Sequence, residues 1–258
     1  MSRRPGRSRP WDTMNDDQIV SWLICAYSMG AFPMADPATD EVDFYRPEVR
    51  GVLPLPSPMQ ADDLAAGFHV PATVERLLRR GRFEFRCDTA LQDVIRACAE
   101  PRAESQDERD GLSEPGTWIN ETIVRWYTLL HQRGHAHSVE AWGTDPFSGE
   151  SRLVGGIYGV AIGSAFFGES MFHRAAPRRV DGERDHFDGT SAGQACLVVL
   201  ARHLAALGFT LFDVQMVTGI VRRFGGHEVP LEEYLARLQD ALASADRWRP
   251  LPPRSPGA

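Results

Sequence analysis

The sequence predicts a mixed α/β fold of the α+β type, on three observations. Several segments repeat apolar residues every three or four positions and stop at glycine, as amphipathic helices do. The second half carries glycine-punctuated apolar runs that read as buried strands. Helices and strands alternate without a regular βαβ repeat.

The elements follow in chain order. Residues 1–12 are rich in Arg, Pro and Ser and read as a disordered basic arm, since such a composition buries no core. An arm touching RNA phosphates is the alternative. Asp16 to Met29 is a helix: Ile19, Trp22, Leu23 and Ala26 share a face, Asn15 or Asp16 caps it, and Gly30 ends it. Ala31 to Pro58 is dense in proline and short apolar pieces, which fits short strands and turns. Val70 to Arg80 is a second helix with Val74, Leu77 and Leu78 apolar and Gly81 past its end. Arg82 to Cys87 alternates as a strand does, and Thr89 to Ala99 is a helix with Leu91, Val94, Ile95 and Cys98 on one side. Glu100 to Glu114 reads as a charged loop. Thr117 is the expected N-cap ahead of the helix Asn120 to Arg133, which Gly134 stops.

After that helix the pattern changes. His137 to Trp142 and Arg152 to Phe167 are strands around a turn at Asp145 to Gly149. Arg174 to Gly189 is a charged insertion. Ser191 to Leu207 is a helix closed by Gly208, Phe209 to Val217 a strand, and Leu231 to Leu242 a last helix before a proline-rich tail. A boundary near residues 60–72 divides a small N-terminal unit (13–70) from a larger unit (71–246), with the tail at 247–258.

Composition excludes several classes. All 28 Lys+Arg residues are Arg. A Schiff-base lysine, a P-loop lysine and a kinase-type lysine are therefore ruled out. A net charge of -7 argues against a generally basic, nucleic-acid-coating surface, though not against local basic patches. Cys25, Cys87, Cys98 and Cys196 form no CxxC pair, so neither a cysteine-rich zinc site nor a disulfide scaffold is expected. The uncharged apolar stretch Leu153 to Gly168 falls short of a membrane helix and is broken by glycines. The N-terminus lacks the apolar run of a signal peptide. A cytoplasmic protein that does not enter membranes is expected.

Two blocks carry the candidate chemistry. Gly168-Glu169-Ser170-Met171-Phe172 follows a glycine-rich buried hairpin. Asp213-Val214-Gln215 lies in an apolar strand, where residues two apart face the same way, so Asp213 and Gln215 share a face. A carboxylate and an amide on an apolar strand need partners if buried; bonding to loop backbone is the plainer reading, catalysis the sharper one. His135 and His137 with Glu140 invite a metal, but no dense ligand motif exists, and histidines bonding backbone at a strand start are favoured. Gly155, Gly156, Gly159 and Gly163 do not spell a dinucleotide loop and instead fit close approach of a ligand or another backbone. Trp118 is either a core residue or a stacking platform for a base. Arg76, Arg79 and Arg80 share one helix face, an ordinary solvated face or a phosphate contact.

Taken in order, Tyr27 to Pro33, Gly51 to Leu55, Gly116 to Ile119, Leu130 to Trp142, Leu153 to Val160, Phe166 to Phe172 and Asp213 to Gln215 resemble the bacterial leucyl/phenylalanyl-tRNA–protein transferase family across roughly Asp16 to Leu242. The resemblance implies transfer of Leu or Phe, with Met a further possibility, from charged tRNA to the N-terminal amine of proteins beginning with Arg or Lys. Such transfer marks them for N-degron degradation. It implies a small N-terminal domain beside a GNAT-like acetyltransferase-type domain, no cofactor and no metal, and a monomer. By matching motif positions it also assigns residues. Asp213 and Gln215 orient or deprotonate the amine. Glu169 attracts the cationic acceptor, and Gly168 and Ser170 shape the same wall. Met171 and Phe166 line the pocket for the transferred side chain. Trp118, with Phe44 and Tyr45, stacks on the terminal adenosine. Apart from the matched positions, the arginine face at Arg76, Arg79 and Arg80 is the candidate for tRNA phosphate contacts on its charge alone.

The chain departs from the family pattern in places. The Asn-Ala-Ser-Lys-like segment is replaced by the insertion leading into Gly189 to Gln194, a histidine by Ile220, and a Ser-Leu-Gly by Arg223-Phe224-Gly225. The alternative these raise is an aminoacyl-tRNA-binding homologue with lost or altered transfer specificity. Acyl transfer from another donor, such as an acyl-CoA, is a third and weaker reading.

Overall fold

The computed structural model describes residues 9–56, 67–100, 117–177, 179, 182 and 184–252. Most of the basic arm, the charged loop after Glu100, the first half of the 60–72 boundary, parts of the insertion and the last tail residues lie outside the described residues.

The elements are α1 (Asp16–Ser28), β1 (Phe32–Ala35), β2 (Val42–Tyr45), β3 (Val49–Val52), α2 (Ala72–Arg79), β4 (Glu84–Cys87), α3 (Leu91–Ala99), α4 (Glu121–Gln132), β5 (Ala136–Thr144), β6 (Ser151–Ile162), β7 (Ala165–His173), α5 (Ala192–Ala206), β8 (Leu211–Gln215), α6 (Gly219–Arg223), β9 (His227–Pro230) and α7 (Leu231–Leu242). A seven-stranded sheet runs β4-β5-β6-β7-β8-β3-β9, and β1 pairs with β2 apart from it. Among the described residues every pairing is antiparallel except β7 with β8. The fold class is the mixed α/β one that the sequence predicts.

The sheet sits between two apolar layers, the ordinary way for a mixed sheet to bury both faces. One cluster joins Ile19, Leu23 and Tyr27 of α1 to residues of α3, α4 and α7. The other joins Phe166 and Phe212 to α5 and to Val74 of α2. Along α5, ten residues from Ala192 to Ala205 are buried, so this helix is apolar nearly all round. Among the described residues no helix is long and apolar enough to cross a membrane.

Local chemistry explains the helix ends. Asn15 closes a capping box with Gln18, each side chain 2.9 Å from the other's backbone nitrogen. The helix after Trp118 is capped by Asn120, whose Oδ1 accepts from Ile123 N at 3.0 Å. Thr117, the expected cap, instead accepts from Ile119 N.

Other expectations change too. Pro10–Thr13 form a 3-10 turn where the arm was expected to continue, because Trp11 packs at 5.1 Å on Trp22 and 5.3 Å on Trp126. The run Arg152 to Phe167 is two strands, turned at Gly163 with φ +60. The Gly168–Phe172 block lies within the second of them rather than after it. The short elements α6 and β9 carry too few apolar residues to show a period. From the stretch 13–70, β3 enters the large sheet between β8 and β9, and α1 packs on α4. The glycines of β6 are there for close approach: a Cβ on Gly159 would lie 2.2 Å from the Phe167 carbonyl oxygen.

Candidate active site

The parallel pair β7–β8 is matched only from Ala165↔Leu211 to Phe167↔Asp213. Beyond that point β7 stays with β6 while Gln215 of β8 pairs with Gly51 of β3. The two strands thus part, and each carries an irregularity at the parting. On β7, Tyr158 faces Ser170 and Gly159 faces Gly168, which leaves Glu169 as the extra residue of a bulge. On β8, Val52 faces Asp213 and Gly51 faces Gln215, so Val214 is the extra one. Gln215 has φ +55, in the left-handed region. Simple alternation along β8 therefore ends at Asp213. Bulges re-aim side chains and cluster beside active sites.

Asp213 is fully buried, and Arg50, also fully buried, pairs with it. Arg50 Nε lies 2.9 Å from Oδ1 and Nη2 lies 2.6 Å from Oδ2. Tyr234 donates to Oδ2 at 2.6 Å, and Gln215 N donates to Oδ1 at 2.8 Å. The remaining Arg50 Nη1 donates to the Gly30 carbonyl at 2.9 Å. The guanidinium also lies over the rings of Phe32 and Tyr234. This is what a buried charge requires: a bidentate partner and satisfied donors.

Glu169 is half-buried at the parting of the strands. Tyr27 OH donates to its Oε1 at 2.7 Å, and Tyr127 OH lies 2.7 Å from Tyr27 OH. Gln215 Nε2 reaches the same oxygen at 3.4 Å. Burial pushes the Glu169 carboxyl up to about 7, against the two phenol bonds, which favour its charged form. Burial, and next the Glu169 charge, raise both phenols well above their ordinary value, so they stay donors.

The other predicted residues fall as follows. Gly168 lies against Phe212, whose Cε2 would be 2.8 Å from an added Cβ. Ser170 is half-buried, and half-buried Met171 packs toward the α5 layer. Phe166 is fully buried in that layer, edge-on to Phe212 and stacked 5.8 Å from Trp248 of the tail. Trp118 is half-buried against the α1 layer. Phe44 points inward, 4.6 Å from Trp22, while Tyr45 points out and is 44% exposed. Trp118 makes no ring contact with Phe44 or Tyr45 among the described residues. Arg76, Arg79 and Arg80 are all exposed at α2. A recess of about 600 Å³ flanks Trp118 between Thr117 and Ile119, and Asp36, Asp40 and Glu121 line it; it does not include Glu169.

His137 is buried, with Nδ1 2.9 Å from Asp88 and Nε2 3.0 Å from the Gly134 carbonyl, and its ring stacks on Trp248 at 4.1 Å. Both ring nitrogens are thus engaged by protein. His131, His137 and Asp88 bring ligand atoms within 4.8 Å of one another. Glu140, fully buried, accepts from Thr89 N at 3.0 Å and Ala90 N at 3.1 Å ahead of α3, a structural duty.

Reading the sequence missed Arg50, Tyr127 and Tyr234, and gave Tyr27 no role. One signal was available: a carboxylate in an apolar strand requires a buried cation, and Arg50 stands among Val49, Gly51 and Val52.

The sequence that builds this parting of β7 and β8 places the chain among the aminoacyltransferases. The family model described as leucyl/phenylalanyl-tRNA protein transferase matches residues 64–239. A leucyl/phenylalanyl-tRNA–protein transferase of Akkermansia muciniphila is 40% identical over 229 residues, covering 89% of this chain and 98% of that protein. The chain belongs to the leucyl/phenylalanyl-tRNA–protein transferase family. Among solved structures, a tandem GNAT protein from the clavulanic acid biosynthesis pathway (without AcCoA) is similar over 89% of this chain and 58% of that one. The identity is 14% and the TM-score 0.30, a likeness on which nothing further rests.

Proposed function

We propose that the chain moves Leu or Phe from charged tRNA to the α-amine of proteins beginning with Arg or Lys, and so marks them for N-degron degradation in the cytoplasm. The observation that carries this reading is the Glu169 carboxyl beside Gln215 at the parting of β7 and β8, 3.4 Å apart. A cationic N-terminus with a second positive charge is the substrate an acidic group there would draw.

The chemistry is aminolysis of an activated ester. An α-amine has a pKa of about 7.7–8.0, so part of it is already neutral near neutral pH. Alignment of amine and ester supplies roughly 7–11 kcal/mol of the barrier in well-oriented systems. Gln215, fixed by its backbone bond to Asp213, is suited to orient the amine. Asp213 is suited to holding that strand end, since Arg50, Tyr234 and the Gln215 backbone fill its acceptor sites. Met171, half-buried toward the α5 layer, fits an apolar side chain. Phe166 is buried in the same layer. Trp118 and the outward Tyr45 are the rings suited to a terminal adenosine, with Phe44 bracing Tyr45's strand from inside. The exposed arginines of α2 suit tRNA phosphates. No cofactor enters this reading.

The test is acceptor choice. Purified chain is mixed with Leu-, Phe- and Met-charged tRNA and with peptides beginning in Arg, Lys, Asp or Ala. Label on the Arg and Lys peptides alone supports the reading. Label on none, or equally on all four, contradicts it.

A further inference from the structure

Two carboxylates meet where β7 and β8 part, and their surroundings divide the work between them. Asp213 is fully buried. It accepts from Arg50 Nε and Nη2, from Tyr234 and from Gln215 N, which fills the roughly four acceptor positions of a carboxylate. No position is left for an incoming N–H. Glu169 is half-buried and stands out of register on a bulge; among the described residues no arginine is bonded to it, and its partners Tyr27 and Gln215 are neutral.

We propose that Glu169 takes the proton released by the attacking amine, with Tyr27 and Tyr127 as positioning residues and Asp213 as a buried anchor. This rests on the aminoacyl-transfer reading above. The neutral α-amine attacks the ester carbonyl carbon, the C–N bond forms, and the carbonyl electron pair moves onto oxygen. Glu169 accepts one N–H proton from the nitrogen. As the carbonyl re-forms, the bond from carbon to the ribose oxygen breaks, and Glu169 returns the proton to that oxygen. Glu169 ends as it began, and no other reactant is needed.

The groups that act on Glu169 come from four elements: Tyr27 on α1, Tyr127 on α4, Arg50 on β3 and Asp213 on β8; Tyr158 on β6 stands behind Tyr127. Burial is the largest influence and raises its ionisation to about 7, a value matched to proton transfer near neutrality. The Tyr27–Tyr127 pair favours the carboxylate. Removing the Tyr27 hydroxyl therefore moves the ionisation upward.

The experiment is single-turnover transfer from Leu-tRNA across pH, with two acceptors. One is an Arg-initiated peptide. The other is an aminooxy-terminated peptide, whose nitrogen is unprotonated throughout the range and so contributes no ionisation. With the second acceptor, the wild-type rate should rise through one ionisation near 7. Glu169→Gln should lose that limb and fall about 100-fold at its plateau, the lower end for a general base. Tyr27→Phe and Tyr127→Phe, which keep the ring and serve if Glu169→Gln misfolds, should keep the limb and move it to higher pH. A wild-type profile that is flat with the aminooxy acceptor overturns the proposal, as does an unmoved limb in Glu169→Gln or in both phenylalanine variants. Those outcomes leave the transfer reading intact if the wild type still labels the Arg peptide. Failure of the wild type to label either acceptor overturns the transfer reading and this proposal together.

Discussion

Arg50 and Asp213 are both fully buried, and their ion pair, with Nη2 2.6 Å from Oδ2, fixes the strand end that carries Gln215. A buried pair of this kind resists the loss of either member, because the survivor is left as an uncompensated charge. Arg50→Met should therefore cost about 3–5 kcal/mol of stability. Adding Asp213→Leu should cost less than the sum of the two single changes. Urea denaturation of the four proteins checks this, and a single-variant loss under about 1 kcal/mol would remove the pair from its structural role.

Asp213→Ala should lower kcat far more than it weakens binding, since Asp213 places Gln215 without facing solvent. Unchanged kcat would take Asp213 out of the account.

Stability should depend on pH through Glu169. Its folded ionisation lies at about 7, above its ordinary 4.5, so the folded state holds the proton longer than the unfolded chain. Stability is then full below about 4.5 and lost as pH rises toward 7, by about 3 kcal/mol at most. Glu169→Gln removes this slope. Denaturation at pH 5 and pH 8 should show the variant gaining on wild type at the higher pH. A gap that does not change with pH would contradict the burial argument.

These groups show what the sequence made legible. The helices α1 and α4 are readable because one face is apolar at helical spacing and an asparagine cap and a glycine mark their ends; α3 and α7 are readable from their apolar spacing, and α5 from its apolar run closed by Gly208. The two candidate blocks are readable because polar residues stand in apolar strands. Their partners are not, since Arg50 and Tyr234 meet Asp213 from 163 and 21 residues away, and no local pattern encodes such contacts. The bulge at Glu169 is equally silent locally. Periodicity of two also predicted Asp213 and Gln215 on one simple face, and the bulge at Val214 with the left-handed Gln215 overrides it.

Gly159→Ala tests the bulge directly. Its Cβ would stand 2.2 Å from the Phe167 carbonyl oxygen, opposite Gly168. Overpacking there should cost about 1–3 kcal/mol and lower transfer as well. Full stability and activity would mean the two strands can separate without cost.

Trp118→Ala should weaken binding of charged tRNA by about 1–3 kcal/mol, the range for lost base stacking. Tyr45→Ala should weaken it too, without loss of stability, because that ring is 44% exposed. An unchanged Kd for Trp118→Ala would make that residue part of the core alone.

The most direct test asks where the amino acid goes. Wild-type chain is given Phe-charged tRNA and an Arg-initiated peptide, free or N-acetylated, and the product is sequenced by mass spectrometry. The account predicts one added Phe on the free α-amine and none on the blocked peptide. Addition to the blocked peptide, or no addition to either, would contradict it.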